Sequence, residues 1–195
     1  MKKALIINGS PKTNGNTMKV INIFKEFFGG ETEVVNLYAH LSSDNKGCQT
    51  CIDCGGCERV KGCIVKDKFQ DILRDDFDII ILAFPIFYSN ATSAVFNLIS
   101  RFNFMYNNKK HLGIKHNFKE KTSALIILGG GSACESLQGC SNEDLPIKQG
   151  RFILKKLNAP LRDDNIITVL NTDDIKIEDN NGLKEQIKRL TARLG

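Results

Sequence analysis

Short runs of consecutive apolar residues alternate with segments of helical periodicity along the chain. These runs include Lys3 to Asn8, which has no polar alternation, as is typical of a parallel strand buried on both faces. They predict five strands: Lys3 to Asn8, Thr32 to Tyr38, Asp78 to Phe84, Ser123 to Leu128 and Ile166 to Leu170. The helical periodicities predict five helices: Asn16 to Phe28, Asp67 to Arg74, Asn90 to Phe104, Pro146 to Leu157 and Leu183 to Leu194.

This alternation predicts one doubly wound α/β domain over residues 1–195. Because strand–helix–strand crossovers are right-handed, the sheet should be parallel and covered by helices on both faces. A cysteine-rich segment, about residues 44–66, has no usable periodicity and is interpreted as an insert after the second strand. Ligands of such sheets bind at the carboxyl ends of the strands. The turns after Asn8, Phe84 and Leu128 are therefore the candidate site.

The composition excludes several classes of protein. The 195 residues are 42% hydrophobic and 25% charged, as in ordinary globular chains and unlike disordered or fibrous ones. The longest apolar run, Ile79 to Tyr88, is too short for a membrane helix, which needs about 20 residues. The apolar run at the N-terminus is too short for a secretory signal. We therefore expect a cytoplasmic protein with no membrane partner, and the net charge of +5 does not indicate a nucleic-acid partner.

A polar, glycine-containing loop follows the first strand and leads into a helix. A helix N-terminus carries about half a positive charge and several free N–H groups, which attract phosphate. Hydroxyl and amide donors come from Ser10, Thr13, Asn14, Asn16 and Thr17. Neither the dinucleotide glycine fingerprint nor the P-loop pattern is present. The loop predicts a site for a phosphate monoester that is held and not transferred, and a polar turn that only caps a helix is the simpler alternative.

Three loops together resemble those of the NADPH-dependent FMN reductases, a family in the flavodoxin-like superfamily. Gly9-Ser10-Pro11-Lys12 with Gly15-Asn16-Thr17 resembles the family's phosphate loop. Pro85 to Asn90 resembles its second flavin loop, and Arg101 matches an arginine at the end of the helix that follows. Gly129 to Ser132 resembles its third loop, and the likeness spans about residues 4–157.

The resemblance implies a flavodoxin-like, three-layer α/β/α fold whose five-stranded parallel sheet has the order 2-1-3-4-5. It also implies FMN, with its phosphate on Ser10, Lys12, Asn14, Asn16 and Thr17, and its ring and ribityl chain against Pro85, Ile86, Phe87, Tyr88, Ser89, Asn90, Gly129, Gly130 and Gly131. Phe87, Phe96 and Ser100 replace the Tyr, Lys and Asp that are usual in the family.

The chemistry of the side chains is consistent with a flavin site. Phe84, Phe87 and Tyr88 could offer aromatic faces to a tricyclic ring, although packing in the core is the alternative interpretation. Glycines after the fourth strand allow backbone N–H groups to reach ring oxygens.

Five of the seven cysteines lie between Cys48 and Cys63. In a reducing compartment such crowding indicates a metal or redox site rather than disulfides. Cys51, Cys54, Cys57 and Cys63 have the spacing C-x2-C-x2-C-x5-C, which begins like a ferredoxin run and favours a compact iron–sulfur cluster over zinc. Cys48 permits the alternative set Cys48, Cys51, Cys54 and Cys57, and a cysteine-rich insert without a cluster is a further alternative.

The same spacing resembles the motif of the iron–sulfur flavoproteins, a branch of the same flavodoxin-like group. This resemblance implies a four-iron four-sulfur cluster that passes electrons to FMN, often across a subunit boundary. It therefore implies a homodimer or homotetramer. Cys134 and Cys140 follow the third loop and are interpreted as spare thiols.

The sequence thus predicts an FMN-dependent oxidoreductase that has no catalytic side chain. Electrons would come from NAD(P)H or from a reduced, ferredoxin-like carrier, and would leave to oxygen, peroxide, a quinone or another small acceptor. The alternatives are an NAD(P)H-dependent FMN or quinone reductase without a cluster, and a non-catalytic flavodoxin-like carrier. The positive net charge and the absence of Trp argue against the carrier. His40, His111 and His116 are interpreted as solvated, and Asn107 to Lys121 as a solvated basic loop.

Overall fold

The five predicted strands form one parallel sheet. The computed structural model describes residues 1–41, 48, 55–131, 141 and 143–195. Its strand order, 2-1-3-4-5, confirms the prediction. The strands are β1 (Lys3–Asn8), β2 (Glu31–Asn36), β3 (Ile79–Pro85), β4 (Thr122–Leu128) and β5 (Ile166–Val169). The α-helices among the described residues are α1 (Asn16–Phe27), α2 (Leu37–His40), α3 (Gly56–Val60), α4 (Phe69–Ile72), α5 (Ser93–Arg101), α6 (Asn103–Leu112), α7 (Asp144–Lys156) and α8 (Asn181–Leu194).

Both faces of the sheet are buried, because successive strand residues point into two separate hydrophobic cores. Leu5 and Ile7 of β1 belong to the core that includes residues of α5 and α7. Ala4 and Ile6 belong to the core that includes residues of α1 and α8. Burying each of the larger aliphatic side chains contributes about 1.5–3 kcal/mol, which explains why the strands read as unbroken apolar runs. The result is the predicted three-layer α/β/α arrangement. Of the described helices, none has the combination of length and apolar character needed to cross a membrane.

The predicted helix Asn90 to Phe104 is wrong, because two helices, α5 and α6, meet at Phe102. Phe102 and Phe104 are both nearly buried and lie against Phe69, with ring centroids 5.7 and 6.0 Å apart. Burying both rings around Phe69 requires a change of direction between them. The second helix therefore continues through Leu112, into the segment that was interpreted as a solvated loop.

Three other expectations differ from the structure. The second strand ends at Asn36, and Leu37, the first residue of α2, is fully buried. The cysteine-rich segment contains α3, which is bounded by residues with left-handed backbone conformations, Gly55 (φ 59°) and Lys61 (φ 52°). Lys121 does not lie in a solvated loop, because its side chain is only 1% exposed and its Nζ is 2.5 Å from an Asp75 oxygen.

His116 is half-buried, which contradicts its interpretation as a solvated histidine. Its ring contacts the Phe104 ring edge to face at a centroid distance of 4.8 Å. Its Nε2 lies 3.1 Å from Nδ2 of Asn108, an amide nitrogen that can only donate, so Nε2 is assigned as the acceptor. Burial lowers the pKa of His116 below its ordinary value. His111 is exposed, and the side chain of His40 lies outside the described residues.

The lowered pKa of His116 predicts a loss of stability on acidification. The unfolded chain binds this proton more readily than the folded chain, so the free energy of unfolding should fall as the pH drops through about 6.5. We expect His116→Gln to flatten the slope of unfolding free energy against pH in this range, measured by urea denaturation at several pH values. His111→Gln, at an exposed histidine, is the matched control and should leave the slope unchanged. An unaltered slope in His116→Gln would contradict this account.

Candidate functional site

A cleft of about 560 Å³ opens at the carboxyl ends of β1, β3, β4 and β5. Four loops contribute to its walls, one after each of these strands. The lining residues are Ser10, Pro11, Lys12, Gly15, Asn16, Thr17, Pro85, Ile86, Phe87, Tyr88, Ser89, Leu128, Gly129, Gly130, Gly131, Leu170, Thr172 and Asp173. The cleft therefore contains every predicted flavin-site residue except Asn14 and Asn90.

The loop after β1 is folded by its own polar groups. The backbone N–H of Ser10 donates to Oδ1 of Asn8 (3.0 Å), and the backbone N–H of Lys12 donates to Oγ of Ser10 (3.2 Å). These bonds close the turn that brings the chain from β1 to α1. Ser10 is consequently mostly buried, whereas Lys12 and Asn14 are exposed.

The N-terminus of α1 is open towards ligands. Gly15 precedes the helix and, as a glycine, has no side chain that could cap the first turn. The N–H groups of that turn are therefore available to an anion. Thr17, in the same turn, is 2% exposed and lines the cleft, as does Lys12. This arrangement of neutral donors, one lysine and a helix N-terminus is suited to a phosphate group.

The loop after β3 is a tight and strained turn. Phe87 and Asn90 exchange two backbone hydrogen bonds of 2.8 and 3.0 Å across Tyr88 and Ser89. Both central residues have positive φ angles, 49° and 57°, which residues other than glycine rarely adopt. The side chain of Asn90 donates to the Tyr88 carbonyl and accepts from Gln149, so it supports the turn from outside the cleft.

Two of the three predicted aromatic faces are at the cleft. Phe87 is 48% exposed and Tyr88 is 92% exposed, and both line it. Phe84 is fully buried in the core and does not line the cleft, so for this ring the alternative interpretation, packing in the core, is confirmed. Strand alternation explains the difference, because Phe84 still belongs to β3 and points into the layer of α5 and α7.

The strain at Tyr88 predicts a gain in stability when its side chain is removed. Tyr88→Gly should raise the free energy of unfolding by about 1 kcal/mol, since glycine adopts a positive φ without a steric penalty. Tyr106→Gly is the matched control, because Tyr106 is also largely exposed but lies within α6, where glycine costs about 1 kcal/mol. Urea denaturation should therefore give shifts of opposite sign. A loss of stability in both variants would show that the turn is not strained.

The loops after β4 and β5 are joined by hydrogen bonds. The N–H and the hydroxyl of Thr172 both donate to the Gly129 carbonyl, at 3.0 and 3.1 Å. The N–H of Asn171 donates to the Gly131 carbonyl at 3.1 Å. Nδ2 of Asn16 donates to the Thr172 carbonyl at 2.9 Å, so the turn after β5 is also joined to the first residue of α1, beside the loop after β1.

Sequence reasoning missed the contribution of Leu170, Thr172 and Asp173. A signal was available, because the strand order 2-1-3-4-5 places the end of β5 beside the glycine loop that follows β4. Asn171-Thr172-Asp173-Asp174, directly after the last strand, is as polar as the phosphate loop.

The described part of the cysteine segment packs against the protein body. Cys57 is 4% exposed at the start of α3, and Cys63 lies beyond the end of this helix, partly buried against the same core. Cys51, Cys54, Cys134 and Cys140 lie outside the described residues. Within the described ranges no group of three or more Cys, His, Asp or Glu side chains could hold a metal ion. The predicted ligand set therefore stays a prediction.

The junction between α5 and α6 holds both ends of the cysteine segment. Oγ of Ser100 accepts from the backbone N–H of Cys48 at 2.8 Å, and the Asn103 amide donates to Sγ of Cys48 at 3.9 Å. Arg101 donates two hydrogen bonds to the Asp67 carboxylate, at 2.7 and 3.0 Å. Arg101 is thus a buried support of the segment and does not line the cleft.

The Arg101 guanidinium is held charged although it is buried. Its side chain is 0% exposed and that of Asp67 is 5% exposed. Burial alone would lower the pKa of Arg101, but the hydrogen bonds that Arg101 donates to Asp67, together with the nearby sulfur of Cys63, outweigh it and raise the pKa. The ring of Phe69 covers the cation at 4.4 Å.

Comparison with solved structures supports the fold. The chain is similar to Smu.1420 from Streptococcus mutans, with a TM-score of 0.67 and 18% identity over 98% of this chain and 99% of that one. It is also similar to an FMN-dependent NADH-azoreductase from Bacillus anthracis solved in complex with FMN. There the TM-score is 0.64 and the identity 16%, over 100% of this chain and 99% of that one. Together with the strand order, these similarities confirm the flavodoxin-like fold.

Two curated relatives carry the same name. Both are iron–sulfur flavoproteins of Archaeoglobus fulgidus, one 29% identical over 146 residues and the other 32% identical over 104 residues. The matches cover 73% and 51% of this chain, and they span only 62% and 48% of the relatives' own lengths.

A sequence profile of one family matches residues 2–139. The matched range contains the loops after β1, β3 and β4, which carry the residues of the resemblance and line the cleft. Because the profile covers most of the chain, the chain belongs to the NADPH-dependent FMN reductase family.

Proposed function

We propose that the chain is an FMN-dependent oxidoreductase that binds FMN in the cleft and transfers electrons from NAD(P)H, or from a reduced carrier, to a small acceptor. One observation carries this proposal. A single cleft combines an open helix N-terminus with neutral donors at one wall and an aromatic turn facing glycine loops at the others. Such a combination is suited to a ligand that has a phosphate at one end and a flat ring at the other.

The residues of the cleft fit each part of FMN. The first turn of α1, with Ser10, Lys12 and Thr17, would hold the phosphate without a metal ion. Phe87 and Tyr88 would contact the ring, and the backbone of Gly129 to Gly131 would approach its polar edge. A Cβ at Gly129 would lie 2.9 Å from Cδ2 of Leu170, so a larger residue at this position would require the Leu170 side chain to shift.

When bound in this cleft, FMN would supply the two-electron redox chemistry of the reaction. The protein's part is then to bind and orient the cofactor and to leave one face accessible to small molecules. The exposed ring of Tyr88 lies at the mouth of the cleft, where a planar donor or acceptor would stack. No side chain acts as an acid or base in this scheme.

The finer proposal adds a four-iron four-sulfur cluster held by Cys51, Cys54, Cys57 and Cys63. Its support is the name of the two curated relatives and the spacing of the cysteines. The described residues contribute Cys57, near the start of α3, and Cys63, beyond its end, and both pack against one core. In this form a ferredoxin-like carrier would donate the electrons and the protein would act as a homodimer or homotetramer. A reductase without a cluster, which accepts hydride directly from NAD(P)H, is the second candidate.

The experiment is an anaerobic purification followed by analysis of flavin, iron and sulfide, and then by rapid mixing with NADPH. The proposal expects about one FMN per chain, and the cluster adds about four iron and four sulfide. Flavin without iron, reduced rapidly by NADPH, would select the reductase without a cluster. A protein that retains no flavin and takes up none from excess FMN would overturn the proposal.

A further inference from the structure

The turn after β5 brings a carboxylate into the cleft. Asp173 is the one acidic residue among the described lining residues, and Lys12 is the one basic residue. Neither a hydrogen bond nor an ion pair joins the Asp173 carboxylate to another described residue. By contrast, Glu178, five residues later, pairs with Lys19 at 2.8 Å. The Asp173 carboxylate is exposed at the wall of the cleft, so a ligand that enters the cleft can reach it.

The structure around Asp173 fixes its position. The preceding residue, Thr172, is bonded to the Gly129 carbonyl through both its N–H and its hydroxyl, and its own carbonyl accepts from Asn16. The carboxylate itself lies directly on Gly130, where any Cβ would collide with it. Asp173 thus lies against the glycine loop, and its neighbour Thr172 joins the same turn to the phosphate loop.

The chemistry of a carboxylate restricts what it can bind here. An ionised carboxylate only accepts hydrogen bonds, so it repels a phosphate and seeks O–H or N–H donors. Between the phosphate and the ring of FMN lies the ribityl chain, which offers hydroxyl donors. The position of Asp173, between the loops proposed to hold these two ends, corresponds to that chain.

We infer that Asp173 accepts hydrogen bonds from the ribityl hydroxyls and thereby selects flavins that carry a polyol chain. This inference rests on the proposed binding of FMN in the cleft. It assigns a binding role to a residue outside the three loops on which the family resemblance rests. A flavin without hydroxyls would gain nothing from Asp173.

The test is a titration of flavin-free protein with FMN, riboflavin and lumiflavin, in which binding is monitored by the quenching of flavin fluorescence. Riboflavin has the ribityl chain without phosphate, and lumiflavin has the ring alone. We expect Asp173→Ala to weaken FMN and riboflavin binding by about tenfold and to leave lumiflavin unchanged. Asp173→Asn keeps an accepting oxygen and should weaken the binding of FMN and riboflavin by about threefold or less. Asp174→Ala, at the adjacent exposed residue that does not line the cleft, is the matched control.

The outcomes separate this inference from the proposed function. Binding of FMN by the wild type with no change in Asp173→Ala would overturn the role of Asp173 and leave the FMN site intact. Tighter FMN binding in Asp173→Ala, or an equal loss for lumiflavin, would overturn it as well, because the carboxylate would then act on the phosphate or the ring. A wild type that binds none of the flavins would overturn both. Thermal unfolding of each variant checks that the turn is preserved.

Discussion

Replacing Arg101 with methionine is expected to lower the free energy of unfolding by about 3–5 kcal/mol. The reason is that Asp67 stays buried after its cation is removed, and hydrogen bonds such as that from the Phe69 N–H do not replace the lost positive charge. Loss of the cation over the Phe69 ring adds to the effect. Few single substitutions on this chain should be as destabilising.

Urea denaturation measures this effect, and a double variant tests its cause. Arg101→Met combined with Asp67→Leu removes both charges and should recover most of the lost stability. Arg162→Met is the matched control, because Arg162 also pairs with an aspartate, Asp164, but both side chains are largely exposed. It should change stability little. A double variant no more stable than Arg101→Met would show that the loss of packing, and not the buried charge of Asp67, causes most of the destabilisation.

Replacing Thr17 with valine is expected to weaken FMN binding by about 10- to 100-fold with the fold retained. Valine keeps the shape of the buried side chain but removes the hydroxyl, and a hydrogen bond to a charged group contributes about 1.5–3 kcal/mol. Titration of the flavin-free protein with FMN, monitored by fluorescence quenching, measures the change in the dissociation constant. Because the lost bond is to the phosphate, riboflavin binding should be nearly unchanged.

Thr191→Val is the matched control for this substitution. Thr191 is also buried, at 6% exposure, but it lies on α8 and does not line the cleft. It should bind FMN like the wild type. Equal losses for FMN and riboflavin in Thr17→Val would contradict the assignment of the phosphate to this loop.

The sheet could be predicted from the sequence because its signals are local. Unbroken apolar runs mark the central strands, and Asn8-Gly9, Pro85 and Gly129 mark their ends. The break between α5 and α6 could not be predicted in this way. It depends on the packing of Phe102 and Phe104 around Phe69, more than thirty residues earlier in the chain.

In the candidate site, too, the residues that a local sequence pattern marks could be predicted, and those that depend on distant contacts could not. The loops after β1, β3 and β4 have recognisable residue patterns, and their predicted residues line the cleft with the exceptions of Asn14 and Asn90. The turn after β5 contributes through hydrogen bonds between distant residues, such as Asn16 and Thr172, which no local pattern reveals. Likewise, the position of Arg101 at the end of a helix was predictable, but its burial against Asp67 was not.

Whether the loop after β1 holds the phosphate of FMN can be measured by comparing the dissociation constants of FMN and riboflavin for the flavin-free wild type. We expect one FMN per chain, bound at least about 100-fold more tightly than riboflavin, because the phosphate dianion meets a lysine, hydroxyls and a helix N-terminus. Equal affinities for the two flavins, or no binding of FMN, would contradict this expectation.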